Sequence, residues 1–258
     1  MNLREIKSLM DGFIKESSLN IVPELNNMRI FELPLLGVAD ARDPLFGKLK
    51  EPEAVGPHHL LPGEWFPGAV SVISYFLPFT RAVREANRED AQLPAREWLY
   101  ARIEGEACSE ALRRYIAEEV KKRGGDALVP ALDPNFQVIR RRSNWSERHI
   151  AYIAGLGTFN LSKSFITAQG CAGRFGSIIV DFKLEPTPRR YQDIYEYCNN
   201  CGACIKRCPV AAIDETGKSH EICADFLDKV IKPKYKPRYG CGKCQTAVPC
   251  ESTIPGRH

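Results

Sequence analysis

The sequence predicts an α+β body over residues 1–190 followed by a compact cysteine-rich module over residues 191–258. Three observations predict it. Helix-period and strand-type apolar segments follow one another irregularly through the first part. Eight of the ten cysteines fall between positions 198 and 250. A proline-marked stretch with Pro186 and Pro188 separates the two. At 258 residues the chain can build one sizeable core plus a small appended unit. No apolar run approaches the length of a membrane span. The start, Met1 to Lys7, is polar and amphipathic, with neither a signal-peptide apolar region nor a twin-arginine pair, so a cytoplasmic protein is expected.

The body reads as follows. Leu3, Ile6, Leu9, Met10, Phe13 and Ile14 recur at helical spacing, which predicts an amphipathic helix. Residues 20–68 carry many prolines and read as irregular; the vicinal pair His58-His59 lies there and is expected to make hydrogen bonds rather than hold a metal. Val70 to Leu77 is β-branched and aromatic, a buried strand. Residues 96–123 form a long helix, with Leu112, Tyr115, Ile116 and Val120 on one face and Glu118, Glu119, Lys121 and Lys122 on the other. Gly124-Gly125 ends it. Short strands follow near Ala127–Val129 and Phe136–Arg140. The basic run Arg140-Arg141-Arg142 leads into Ser143-Asn144, read as a helix N-cap. The next helix carries Glu147, Ile150, Tyr152 and Ile153 and stops at Gly155-Leu156-Gly157. Ser177 to Asp181 reads as a further strand. There is no internal repeat.

The module holds Cys198-Asn199-Asn200-Cys201-Gly202-Ala203-Cys204-Ile205-Lys206-Arg207-Cys208-Pro209, a C-x2-C-x2-C-x3-C-P run. This is the bacterial ferredoxin spacing, in which three thiolates ligate one [4Fe-4S] cubane and the fourth serves a second cluster. Gly202 lets the backbone come close to the metal. Structural zinc sites pair C-x2-C units across a longer gap, and disulfide frameworks belong to short secreted chains. A second set of thiols follows at Cys223, Cys241, Cys244 and Cys250. By the crossed logic of two-cluster ferredoxins, Cys198, Cys201, Cys204 and Cys250 hold one cluster and Cys208, Cys223, Cys241 and Cys244 the other. The list of eight is more firmly specified than this pairing. So small a module lacks a large apolar core, and metal binding supplies much of its folding energy. Cys108 and Cys171 stand alone and read as small buried hydrophobes.

The formal charge is +4. From Cys198 onward ten Lys/Arg face six Asp/Glu, so the tail carries the whole excess, concentrated at Lys229, Lys232, Lys234, Lys236 and Arg238. A solvated loop that balances two thiolate-ligated clusters accounts for it. A docking surface for an acidic electron donor, or for a nucleic acid such as tRNA, is the sharper alternative.

The order of pieces resembles the epoxyqueuosine reductase and reductive dehalogenase superfamily of corrinoid iron–sulfur proteins. Phe66-Pro67-Gly68-Ala69-Val70-Ser71-Val72-Ile73 is similar to that family's F-P-G-A-x-S-V-I strand, and Tyr100-Ala101-Arg102 to its Y-A-R segment. Glu147-Arg148 followed by Ala154-Gly155-Leu156-Gly157 is similar to its E-R…A-G-L-G, and Tyr239-Gly240-Cys241-Gly242-Lys243-Cys244-Gln245 to its Y-G-C-x-x-C-Q. The likeness covers roughly residues 60–252.

The resemblance implies a nitroreductase-like body that holds cobalamin, with the two clusters passing single electrons to cobalt for reduction of an electrophilic small molecule. It implies cofactor contacts from Tyr100, Arg102, Arg148, Gly155, Leu156 and Gly157, and catalytic roles among Glu147, Tyr100 and Arg141. It also implies a low-potential electron donor of the ferredoxin or flavodoxin type. There is no D-x-H-x-x-G signature of a histidine-ligated corrinoid. An ungapped reading puts Arg141 where epoxyqueuosine reductases carry an aspartate proton donor, and arginine cannot donate a proton at neutral pH. The substrate is therefore left open. So is a second reading, an electron-transfer protein that relays electrons to a partner or to a flavin.

Overall fold

The structure is a computed structural model and describes residues 1–256. It opens with α1 (Leu3–Glu16), a ribbon of β1 (Ile21–Val22) with β2 (Met28–Arg29), and β3 (Leu35–Asp40). Two single-turn helices, α2 (Leu45–Lys48) and α3 (Pro62–Trp65), lead to β4 (Ser71–Pro78), α4 (Arg81–Glu89) and α5 (Arg96–Lys122). Then come β5 (Ala127–Leu128), the hairpin β6 (Val138–Ile139) with β7 (Arg142–Ser143), and α6 (Glu147–Ile153). The pair β8 (Gly157–Phe159) with β9 (Phe165–Thr167) precedes β10 (Gly173–Val180). Beyond residue 190 regular structure is sparse: α7 (Ala203–Lys206), β11 (Ile213–Asp214) with β12 (Gly217–Lys218), α8 (His220–Phe226) and α9 (Lys232–Tyr235).

The body is built on β4. All of its residues are buried, the pattern of a strand covered on both faces. It pairs antiparallel with β3 and β10, and β10 pairs with β5, in the order β3-β4-β10-β5. Side chains alternate across the sheet. Ile73, Tyr75, Leu77, Ile178 and Val180 pack with α1 and α5 on one face. Val72 and Ile179 pack with Trp145, Ile150 and Ile153 on the other. Helix α1 begins with a capping box, Asn2 and Glu5 exchanging backbone-to-side-chain hydrogen bonds of 2.9 and 3.0 Å. It buries Ile6, Met10 and Ile14, one stripe at i, i+4 and i+8.

Two sequence expectations change, and one helix was not anticipated. The stretch read as irregular contains β3, an edge strand that Pro34 and Gly37 disguise. Gly37 is needed because a Cβ there would lie 2.2 Å from the Ala154 carbonyl. Ser143-Asn144 is not the N-cap of α6, which is Ser146. Instead the Asn144 side chain closes the β6–β7 hairpin, accepting from Gln137 N and donating to Asn135 O. Helix α4 is short and rich in charge. It buries only Val83 and Asn87, and it clamps the cysteine-rich part to the body. Arg88 makes a forked ion pair with Glu251, and Asn87 donates to Cys241 O and Thr246 Oγ1. The buried Lys243 ammonium donates to Asn87 O at 2.8 Å.

Among the described residues no helix is long and apolar enough to cross a membrane.

Candidate functional site

Two C-G-x-C turns organise the cysteine-rich part, Cys201-Gly202-Ala203-Cys204 and Cys241-Gly242-Lys243-Cys244. Both glycines are left-handed, at φ 70° and 68°, a conformation that only glycine adopts at no steric cost. Each starts a short helical turn, and the cysteines of each turn line one space. Cys198, Cys201, Cys204 and Cys250 line a small pocket with Asn160, Val248 and Pro255. Cys208, Cys223, Cys241 and Cys244 line a cavity of about 950 Å³, at the upper end of the range for small-molecule and cofactor sites.

All of these thiols are free of disulfides. Among the described residues no three His, Cys, Asp or Glu side chains converge tightly enough for a single metal ion. The thiols ring two spaces instead, four to each. Burial pushes the Cys204 thiol up to about 11 and Cys241 up to about 12, so these sulfurs carry charge only when a metal takes the proton's place.

The rest of the large cavity is lined mainly by the body, including Arg102, Glu106, Arg113, Glu147, Arg148 and Arg174. Arg113, 2% exposed, pairs with Glu106 at 2.7 Å and with Glu147 at 3.5 Å, and Arg174 pairs with Glu106. The Ser177 hydroxyl donates to Glu147 Oε2 at 2.6 Å. Burial raises the Glu147 carboxyl above the ordinary carboxylate range, against the opposing pull of Arg113 and Ser177. Arg174 is pushed down to about 9 by burial and then by Arg102. Arg148 is lowered by burial and drawn the other way by Cys244; it donates to Lys163 O. Burial also pushes Lys218 down, but Cys244 and Cys223 more than offset this and leave it raised. The thiol wall of the cavity thus faces cations, Arg148 and Lys218.

Residues 191–214 match the family model described as a 4Fe-4S binding domain. The epoxyqueuosine reductase of Listeria monocytogenes is 30% identical over 115 residues, which are 40% of this chain and 29% of that protein. A solved selenomethionine-labelled epoxyqueuosine reductase superposes on 97% of this chain and 66% of its own, with a TM-score of 0.55 and 17% identity. The catabolic reductive dehalogenase NpRdhA superposes on 86% of this chain and 30% of its own, with a TM-score of 0.55 and 13% identity. The chain thus shares the fold of the epoxyqueuosine reductases and reductive dehalogenases, and over 115 residues it is similar in sequence to an epoxyqueuosine reductase. It spans under a third of the dehalogenase and about two thirds of the solved epoxyqueuosine reductase.

Within this superfamily fold the motif residues part company. Arg102, Glu147 and Arg148 line the large cavity. Arg102 also donates to the Tyr239 hydroxyl at 3.1 Å and stacks over its ring. Tyr100 does not line it. Its ring is buried in the body's core, with the Arg238 guanidinium 3.6 Å from its centroid. Arg141 sits exposed at the β6–β7 turn, 3.8 Å from Asp228 of the cysteine-rich part. Gly155, Leu156 and Gly157 do not line the cavity either. A Cβ on Gly155 would lie 2.9 Å from the Thr187 carbonyl, and one on Gly157 would lie 1.9 Å from the Ile166 carbonyl. These glycines serve close approach of the chain to itself.

Sequence reading missed Glu106, Arg113, Arg174 and Lys218. Glu106 and Arg113 are seven apart, hence on one face of α5, and that spacing was the available signal. Cys171 is buried as expected, yet its sulfur is 3.8 Å from Cys250 Sγ. Cys108 lies in the apolar core of the body. His58 and His59 each make their own hydrogen bond, to Arg142 O and from Ser146 N.

Proposed function

We propose that this protein is a one-electron oxidoreductase with two [4Fe-4S] clusters and a corrinoid, cobalamin in type, acting on a small electrophilic substrate. The single observation that carries the reading is the shared cavity. Four thiols from the cysteine-rich part and Glu147, Arg102 and Arg148 from the body line one space of about 950 Å³. In this reading residues 1–190 are the substrate and corrinoid body and residues 191–258 the electron-transfer unit. Cys198, Cys201, Cys204 and Cys250 would hold the cluster nearer the surface, since Cys201 is exposed. Cys208, Cys223, Cys241 and Cys244 would hold the one beside the cavity. A low-potential donor of the ferredoxin or flavodoxin type would dock near Cys201.

The cavity suits a corrinoid in size and charge. Among the described residues no histidine lines it, which fits a cobalt without a histidine ligand. The corrinoid, when bound, supplies a low-potential cobalt centre for reduction of the substrate. The chain's own groups do the rest. Arg102, Arg148 and Arg174 orient anionic or amide-bearing edges of what enters the cavity. Glu147, whose carboxyl burial raises against the pull of Arg113 and Ser177, can take up a proton and deliver it into the cavity. Tyr239 and the Glu106–Arg113–Arg174 network keep these side chains in place. Arg141 takes no part, being at an exposed turn. Tyr100 supports Arg238 from the core.

The basic loop fits charge balance rather than nucleic-acid binding. Lys229 pairs with Asp225, Lys232 with Asp228 and Arg238 with Glu104.

Anaerobic titration of the cluster-loaded protein with cobalamin, followed by absorbance and EPR, tests the reading. Saturable binding with a cobalt signal that lacks a nitrogen lower ligand is the expected result. Absence of binding with both clusters intact overturns the corrinoid reading and leaves a relay to a partner or a flavin, which a parallel flavin titration identifies. Binding to a tRNA that weakens steeply with salt would point to a nucleic-acid substrate instead.

A further inference from the structure

The loop 160–164 belongs to the body but lies between the two thiol-lined spaces. Asn160 and Leu161 line the small pocket, and Ser162 and Ser164 line the large cavity. Asn160 is 2% exposed. Its Oδ1 accepts three hydrogen bonds, from Ser162 N at 3.1 Å, Ser162 Oγ at 2.8 Å and Ser164 N at 3.0 Å. Three donors on one atom identify that atom as the oxygen. The amide nitrogen is thereby turned the other way, and it lies 3.7 Å from Cys250 Sγ.

A second side chain, the Cys171 thiol, reaches the same sulfur. Cys171 Sγ is 3.8 Å from Cys250 Sγ and 3.9 Å from the Gln245 carbonyl. The backbone holds it there. Cys171 N donates to Cys250 O at 2.9 Å and to Glu251 O at 3.2 Å, and Ala172 N donates to Glu251 O at 3.2 Å. This approach needs the glycine before it, since a Cβ on Gly170 would lie 2.3 Å from Glu251 O.

We propose that Asn160 and Cys171 donate hydrogen bonds to the Cys250 thiolate and thereby raise the reduction potential of the cluster in the small pocket. The proposal rests on Cys250 being a cluster ligand, as in the reading above. Hydrogen bonds to ligating sulfurs are among the levers that set cluster potentials. A donor stabilises the more negative, reduced cluster more than the oxidised one. Two side-chain donors on one sulfur, both supplied by the body, make the potential of this cluster depend on a loop outside the cysteine run.

The test is an EPR-monitored redox titration of the cluster-loaded protein, with iron counted in every variant. Asn160→Asp keeps the Oδ1 acceptor that orders the loop but removes the amide donor. Cys171→Ala removes the second donor with no change of charge, and Cys171→Ser keeps a donor. Asn160→Asp and Cys171→Ala should each shift the potential of the small-pocket cluster downward, with full iron and the other cluster unmoved. Cys171→Ser should fall between Cys171→Ala and the unaltered protein. Unchanged potentials in Asn160→Asp and Cys171→Ala at full iron overturn the proposal. Loss of a cluster in Cys171→Ala also overturns it, by making Cys171 a ligand. Cys250→Ser separates the two levels. If it retains both clusters, the ligand assignment fails and the tuning falls with it.

Discussion

The body and the cysteine-rich part are stabilised by different physics. The body has a sheet covered on both faces, and its large side chains are sealed in: Trp145, Tyr75 and Phe76 are each at most 1% exposed. Burial of each such side chain is worth roughly 1.5–3 kcal/mol. The part after residue 190 has no comparable layer. Its apolar cluster mixes Tyr197, Ile213 and Val248 with Cys204 and Cys250, and it borrows Ile166 and Cys171 from the body. Among the described residues what fastens it is polar, the clamp of Asn87, Arg88, Lys243 and Glu251. On the proposed reading the cysteine-rich part is stable only when loaded with its clusters and docked, whereas the body stands on its core.

The largest effect that sharpens this comparison is iron removal. Chelation under anaerobic conditions should make residues 191–256 sensitive to limited proteolysis while residues of the sheet stay protected. Loss of the whole chain to protease at the same rate would break the comparison. Next come the body's buried groups. Arg113→Met leaves Glu106 and Glu147 without their shared cation, and breaking a buried pair costs about 3–5 kcal/mol. Denaturant unfolding should register that loss in the body with the iron content retained. Gly242→Ala acts on the other part. The added Cβ would lie 2.0 Å from the Trp98 ring at a left-handed residue. It should cost one cluster, counted as iron, and leave the sheet's unfolding midpoint nearly unmoved.

A smaller effect follows from His59, which is fully buried and lowered from 6.5 to about 4, chiefly by burial. Above pH 6.5 both the folded and unfolded states hold it neutral. As pH falls from 6.5 toward 4, the unfolded chain takes up a proton that the folded one refuses. Stability therefore drops across that window, by up to about 3 kcal/mol. His59→Gln should flatten this part of the stability-versus-pH curve, and an unaltered slope would contradict the assignment. Glu147→Gln should alter stability least. It keeps the shape, removes the proton, and should lower turnover by about 10²–10⁴-fold once a substrate is found, with cluster reduction unchanged.

Much of this architecture was legible in the residues. The cysteine run carries its ligand chemistry in its spacing, and α1, β4 and α5 announce themselves through apolar periods of 3.6 and through a continuous β-branched run. Other elements were hidden for definite reasons. β3 is an edge strand with a proline before it and a glycine within it. α4 is held by Asn87 and Arg88 rather than by an apolar stripe. Part of the cavity wall escaped because Glu106 and Arg113, Arg174 and Lys218 come from three elements that only the fold brings together. Asn160 escaped because its role lies in the direction its amide points. The glycines at 155 and 157 misled because close backbone approach looks the same in sequence whether the neighbour is a ligand or the chain itself.

The measurement that bears most directly on the central claim is iron content with EPR spin quantitation of the fully reduced protein and of its Cys201→Ser and Cys244→Ser variants. Two separate four-iron clusters, one in each thiol-lined space, predict about eight irons per chain. Each variant should retain about half, and the two should lose different EPR signals. Loss of the same signal in both variants, or about four irons in the unaltered protein, would contradict the account.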